Sequence, residues 1–329
     1  MIDREQVAEL YTMQDAFDAV EEAAIAWVEE RTQVPQRAAL HAEQSGLETL
    51  VMPGAVDGKY SGAKIWYASP GTERLPGTSA LIVLIDPELG EVVLDGSVIT
   101  DLRTGAMTGL AARYLALEDT STATIIGAGI QARTQALALA HGLEQLREIH
   151  ISSRRAEARA RFVEELQAEM SEAYPQVRVV SSNDAQTSCE LSQVIVAATT
   201  AREPVIPDEW VQPGAFVCGV GSHDPQAAEI DPRTVERAAL AVVDTRRGAI
   251  DGAGDISSVI ESGRITRDDV VELGELLKAT ADYAALRTQS DRNPVVFKTV
   301  GFAAADLVSA HRVAAVSVTS GRMSRREIH

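Results

Sequence analysis

The stretch Thr122-Ala-Thr-Ile-Ile-Gly127-Ala128-Gly129-Ile130-Gln131-Ala132 runs a short β-branched strand directly into the start of a helix. In that setting a G-x-G-x-x-A pattern reads as a dinucleotide-binding turn. Gly127 allows the tight strand-to-helix turn, Gly129 lets the backbone approach a pyrophosphate, and Ala132 stands where helix meets strand. The helix starting near Ile130 and Gln131 offers unpaired N–H groups and a positive dipole end to phosphates. A lone turn of this kind is weak, because many glycine-rich turns bind nothing. Its surroundings give it weight.

From Thr122 onward short apolar strands alternate with helices: "TATIIGAG", "EIHISS", "VRVVSS", "VIVAATT", "GAFVCGVG" and "ALAVVD". That rhythm predicts an α/β fold, a doubly wound parallel sheet of Rossmann type. The residues before it read differently. Thr12 with Asp15 predicts a capped amphipathic helix, and residues 34–95 predict short strands of a mostly antiparallel sheet, with a hairpin at Glu88-Leu-Gly90. Thr100 then caps a helix that places Arg103 in its first turn. The last segment, a strand and a long apolar helix, returns to the first domain. At 329 residues the chain exceeds the ~250–300 at which single cores stop growing. The expected division is a discontinuous α+β domain, residues 1–118 with 295–329, and a Rossmann domain, residues 119–294.

The net charge of −18, from 30 basic and 48 acidic residues, argues against nucleic acid and anionic membrane surfaces as partners. Cys189 and Cys218 lack metal or redox spacing and read as reduced and structural. No apolar run reaches ~18 residues, and the acidic N-terminus is unlike a signal peptide, so a cytoplasmic enzyme is expected. No clustered Cys/His or H-E-x-x-H spacing occurs, so no metal is expected.

In a Rossmann unit an acid at the end of the second strand bonds the ribose 2′-hydroxyl, whereas arginine accommodates a 2′-phosphate. Here that strand ends in Ser153-Arg154-Arg155, which favours NADP(H); the plainer reading is that the two arginines begin a solvated helix face. Thr199 and Thr200, ending the fourth strand, and Val220, ending the fifth, border the expected nicotinamide position. His223 and Asp224 follow on the same face, and a histidine there suits proton transfer near neutral pH; an ordinary Asp-Pro loop is the plainer reading.

The chain has four lysines against 26 arginines, so Lys64 inside the strand "GAKIWYAS" is not background. Desolvation there would lower its pKa and make it a proton donor or acceptor. Ser61-Gly-Ala-Lys64 matches an S-x-x-K string, but the companion motifs of a serine acylase are missing. Arg37, on the first strand after the helix, and Arg103 suit a bidentate clamp on a substrate carboxylate; each is otherwise a surface charge.

Taken in order, "VPQR", "GAKI", "ITDLRTGAMTGLAARYLA", "IIGAGIQA", "GVGSHDPQAAEID", "VVDTRRGAIDGAGDI", "VELGELL" and "VFKTVGFAAADL" resemble the ornithine cyclodeaminase/mu-crystallin family over nearly the whole chain. The resemblance implies a Rossmann domain joined to a dimerisation and substrate domain built from both chain ends, and a homodimer. It also implies chemistry at the α-carbon of an amino or imino acid, with Arg37, Lys64 and Arg103 holding the α-carboxylate. Cyclodeaminases carry an aspartate where this chain has His223, with Asp224 displaced by one. The reading that follows is an NADP(H)-dependent reductase of cyclic ketimines. An alanine or N-substituted amino-acid dehydrogenase comes next, then a cyclodeaminase, then a catalytically silent NADPH-binding protein.

Overall fold

The computed structural model describes residues 1–72, 77–222 and 224–320. Contacts divide the chain into two units, Met1–Arg103 with the segment from Phe302 onward, and Thr104–Gly301.

The first unit is built on an antiparallel sheet of β1 (Thr32–Gln33), β2 (Ala38–Ala42), β3 (Leu47–Val56), β4 (Tyr60–Ala68), β5 (Thr78–Asp86) and β6 (Gly90–Asp95). Its order is β1-β3-β4-β5-β6, with β2 also pairing β3. Alternation sorts the side chains. Leu50, Met52, Val56, Ile82, Leu84, Val92 and Leu94 point to a buried face, where the helix Ala303–Thr319 lies across β3, β4 and β5. The helix Met13–Val28 packs on Ala303–Thr319, and its start is set by reciprocal hydrogen bonds between Thr12 and Asp15, as the sequence predicts.

Two local expectations change. The helix carrying Arg103 is Ser97–Leu115, begun where the Asp95 carboxylate accepts the Ser97 N–H, so Thr100 is inside it and Arg103 lies in its second turn. Arg37 is not on a strand: β1 has ended at Gln33 and β2 starts at Ala38, leaving Arg37 half-buried in the connecting segment.

The second unit holds β7 (Thr122–Ile126), β8 (Glu148–Ser152), β9 (Arg178–Ser182), β10 (Val194–Ala197), β11 (Phe216–Gly219), β12 (Leu240–Val243), β13 (Val270–Glu272) and β14 (Val295–Lys298). All pair in parallel, in the order β13-β12-β14-β11-β10-β7-β8-β9. Strands β9, β8, β7, β10 and β11 thus follow the 3-2-1-4-5 order of a dinucleotide fold, with the order reversing between β7 and β10. β14 enters between β11 and β12. Residues 295–298, expected with the first domain, therefore complete the parallel sheet, and the chain leaves this unit only after Gly301. Among the described residues, no helix is long and apolar enough to cross a membrane.

Candidate active site

Lys64 sits at the middle of β4, in register with Met52 of β3 and Ile82 of β5, both buried. Phase alone therefore turns its side chain to the covered face, where it is 2% exposed. There its Nζ lies 2.8 Å from Asp306 Oδ1, an oxygen that also accepts Arg103 Nε at 3.0 Å. Asp306 is fully buried, on the first turn of the helix Ala303–Thr319.

Taking these charges from water is costly, and the ion pairs only partly offset it. Burial, and then the positive charge of Arg103, pull the Lys64 amine down to about 8; Asp306 opposes the shift and Arg37 adds to it. Lys64 is thereby brought into the range where an amine exchanges a proton at physiological pH. Two cations share one carboxylate oxygen, while Asp306 Oδ2 is buried with no hydrogen-bond partner among the described residues. With Arg37 near, the cluster carries excess positive charge, which suits a substrate carboxylate. Burial also pushes the Asp101 carboxyl up to about 6, against the charges of Arg4, Arg103 and Lys64, so a second acid lies on the same helix as Arg103.

Asp306 and Asp101 escaped the sequence reading. A signal for the first exists, since Asp306 is a lone acid within the apolar run "FAAADLVSA", where a charge is costly unless paired.

In the second unit the Gly127 turn follows β7 directly. Gly127 has φ +132°, and a Cβ there would stand 2.3 Å from the Ala198 carbonyl oxygen, so only glycine fits. At Gly129 a Cβ would meet no protein atom within 4 Å, so the protein itself does not require glycine. Gly129 is also the N-cap of the helix Ile130–Gly142 and gives it no side-chain cap. Ala132 is buried, Ala128 half-buried, and Gly129 and Ile130 exposed. A pyrophosphate against open helix N–H groups fits each of these features.

Thr199 follows β10, and Val220, Gly221 and Ser222 follow β11, so the structure gathers them at adjoining carboxyl ends. One buried carboxylate joins them. Glu229 Oε1 accepts the Thr199 N–H and hydroxyl, both at 2.8 Å, and Oε2 accepts the N–H groups of Gly221 at 2.5 Å and Ser222 at 3.1 Å. Glu229 is held in turn by Asp255 Oδ1, which accepts the Glu229 N–H, while Asp255 Oδ2 lies 2.9 Å from the buried Lys298 Nζ. Thr200 is exposed. His223 lies outside the described residues. Asp224 pairs with Arg202 at 2.8 Å and accepts the Gln226 N–H across Pro225, the geometry of the plainer Asp-Pro loop. Ser153 is half-buried, and Arg154 and Arg155 are exposed.

A parallel sheet of 3-2-1-4-5 order with a glycine turn at the end of its first strand is the fold of nicotinamide-dependent oxidoreductases, and that is the class of this chain. The chain belongs to the ornithine cyclodeaminase/mu-crystallin family, whose model matches residues 1–320. It is 32% identical over 317 residues to alanine dehydrogenase of Archaeoglobus fulgidus, covering 94% of this chain and 92% of that protein. Among solved structures, Δ1-pyrroline-2-carboxylate reductase of Thermococcus litoralis, in complex with NADH and L-proline, matches with TM-score 0.86 and 28% identity over 97% of this chain and 98% of that one. An archaeal alanine dehydrogenase dimer with bound NAD matches with TM-score 0.84 and 29% identity, over 100% of this chain and 98% of that one. The protein is an NAD(P)H-dependent enzyme of the imine reductase and amino-acid dehydrogenase class.

Proposed function

We propose that the enzyme reduces a C=N bond beside a carboxylate with NADPH. Its substrate is a cyclic ketimine such as Δ1-pyrroline-2-carboxylate or Δ1-piperideine-2-carboxylate. The observation that carries this reading is the buried Lys64–Asp306–Arg103 cluster, whose excess positive charge suits an anchored carboxylate and whose lysine suits proton exchange. The chemistry supplied by a bound nicotinamide is hydride transfer at the α-carbon. Arg37 and Arg103 hold the carboxylate. Lys64 orients it and delivers a proton to the imine nitrogen, while Asp306 keeps the lysine charged and in place. His223 or Asp224 serves as a further acid.

NADP(H) is preferred because no carboxylate stands at Ser152 or Ser153 and Arg154 and Arg155 follow β8. Gly127, Ala128, Gly129, Ile130 and Gln131 would hold the pyrophosphate, and Thr199, Thr200 and Val220 would border the nicotinamide ribose. The first unit serves as substrate and dimerisation domain. Its sheet leaves Ile65, Leu81 and Ile85 exposed on the face away from the helices, and an apolar face of this kind suits a second copy of the chain. Both cysteines are free and buried, which agrees with a reducing cytoplasm.

The likeness to alanine dehydrogenase supports a second reading, reversible amination of a keto acid. One screen separates the readings: NADPH oxidation with cyclic ketimines, and with pyruvate or glyoxylate plus ammonia or methylamine. Turnover with ketimines and no amine supports the reductase. Turnover only with keto acid and amine supports the dehydrogenase, and formation of proline and ammonia from ornithine without net NADPH change supports a cyclodeaminase. Tight NADPH binding without turnover across the panel would refute an active enzyme.

A further inference from the structure

Arg159, in the first turns of the helix Ala156–Ala173, is 5% exposed. Its Nε donates to Ser181 Oγ at 2.9 Å, its Nη1 to the Ser153 carbonyl at 2.5 Å, and its Nη2 to Asn183 Oδ1. All three acceptors are neutral. No carboxylate among the described residues pairs with this guanidinium, although the chain is rich in acids and most of its other interior cations have one. A buried guanidinium does not escape its charge by losing a proton, so the missing anion is an electrostatic debt.

The location of that charge gives it meaning. Ser153 directly follows β8, the second strand of the dinucleotide order, and Ser181 and Asn183 lie at the end of β9 beside it. In this fold the loop after the second strand receives the adenosine ribose. Arg154 and Arg155 on that loop are exposed, so water and salt weaken what they offer a phosphate. Arg159 is largely shielded from that screening, and one of its five N–H groups ties down the loop at Ser153 while two more bond the end of β9, leaving two uncommitted.

We propose that Arg159 is a specificity-determining residue for the 2′-phosphate of NADP(H). Its unneutralised guanidinium makes the base of the Ser153–Arg155 loop electropositive and holds that loop in phosphate-accepting form. The proposal rests on the NADP(H) reading above. It is distinct from the Arg154 and Arg155 assignment, because it places the discriminating charge beneath the loop.

The test measures binding of 2′,5′-ADP and 5′-AMP by titration calorimetry, together with KM for NADPH and NADH. The variants are Arg159→Gln, which removes the charge, and Asn183→Asp, which leaves the hydrogen bonds and gives the guanidinium a carboxylate partner. Wild type should bind 2′,5′-ADP more tightly than 5′-AMP. Each variant should lose about tenfold on 2′,5′-ADP and under about twofold on 5′-AMP, the scale of one charged contact. Should Arg159→Gln fail to fold, Asn183→Asp still decides. Equal losses on both nucleotides, or an unchanged preference in Asn183→Asp, would overturn the proposal while leaving NADP(H) preference intact. A wild-type protein that does not distinguish the two nucleotides would overturn both.

Discussion

Replacing Asp306 by Asn removes the single negative charge shared by Lys64 and Arg103 while keeping volume and one acceptor oxygen. The Lys64 amine, already drawn down to about 8, loses the hydrogen-bonded carboxylate that raises it. A hydrogen bond between charged groups contributes about 1.5–3 kcal/mol, and 1.36 kcal/mol corresponds to one pKa unit, so a further fall of about 1–2 units is expected. That takes the amine to about 6–7. The sign is unambiguous, since removing a nearby anion disfavours the protonated form. If protonated Lys64 is needed for imine reduction, kcat/KM of wild type falls as pH rises through about 8. In D306N the same limb moves to about 6–7, and at pH 7.5 the active fraction drops roughly eightfold. Breaking a buried pair also costs about 3–5 kcal/mol of stability, less here because Lys64 can shed its proton. The assay is the pH profile of NADPH oxidation between pH 5 and 10, with thermal melts as control. A D306N profile superimposable on wild type would refute the coupling.

Lys64→Ala should cut kcat by at least about 100-fold, the scale of a lost acid–base group, with the dissociation constant of the dinucleotide unchanged; wild-type turnover would sink its role. Gly127→Ala forces a Cβ to 2.3 Å from the Ala198 carbonyl at φ +132°. It should cost about 1–3 kcal/mol or more in urea unfolding and weaken NADPH binding at least tenfold, so unimpaired binding would count against the turn assignment. Glu229→Gln leaves one amide oxygen to serve four donors and turns an NH2 toward two of them. It should destabilise the protein by about 2 kcal/mol or more and raise KM for the cofactor; a variant with both unchanged would remove Glu229 from the loop geometry.

Much of the fold was legible because it is written locally. Thr12 and Asp15 announce a helix start within four residues, and the alternation through residues 47–95 fixes which side chains face inward, Lys64 among them. The Gly127 turn is similarly short-range. Helix starts were less legible: Thr100 is a good capping residue in isolation, but Gly96 and the Asp95 side chain begin that helix four residues earlier. Arg37 read as a strand residue because Ala38–Ala42 continues from it, yet pairing with β3 starts only at Ala38.

By itself the sequence determined the tight glycine turn after β7, the two kinds of sheet and the burial of a lone lysine, since these follow from φ/ψ preference and periodicity over a few residues. Tertiary structure decided where β14 enters the parallel sheet, that Asp306 meets Lys64 across 242 positions, and that Arg159 is buried with no acid paired to it among the described residues. An ion pair or its absence depends on which distant side chains share a low-dielectric space, and only the folded chain sets that distance and that burial.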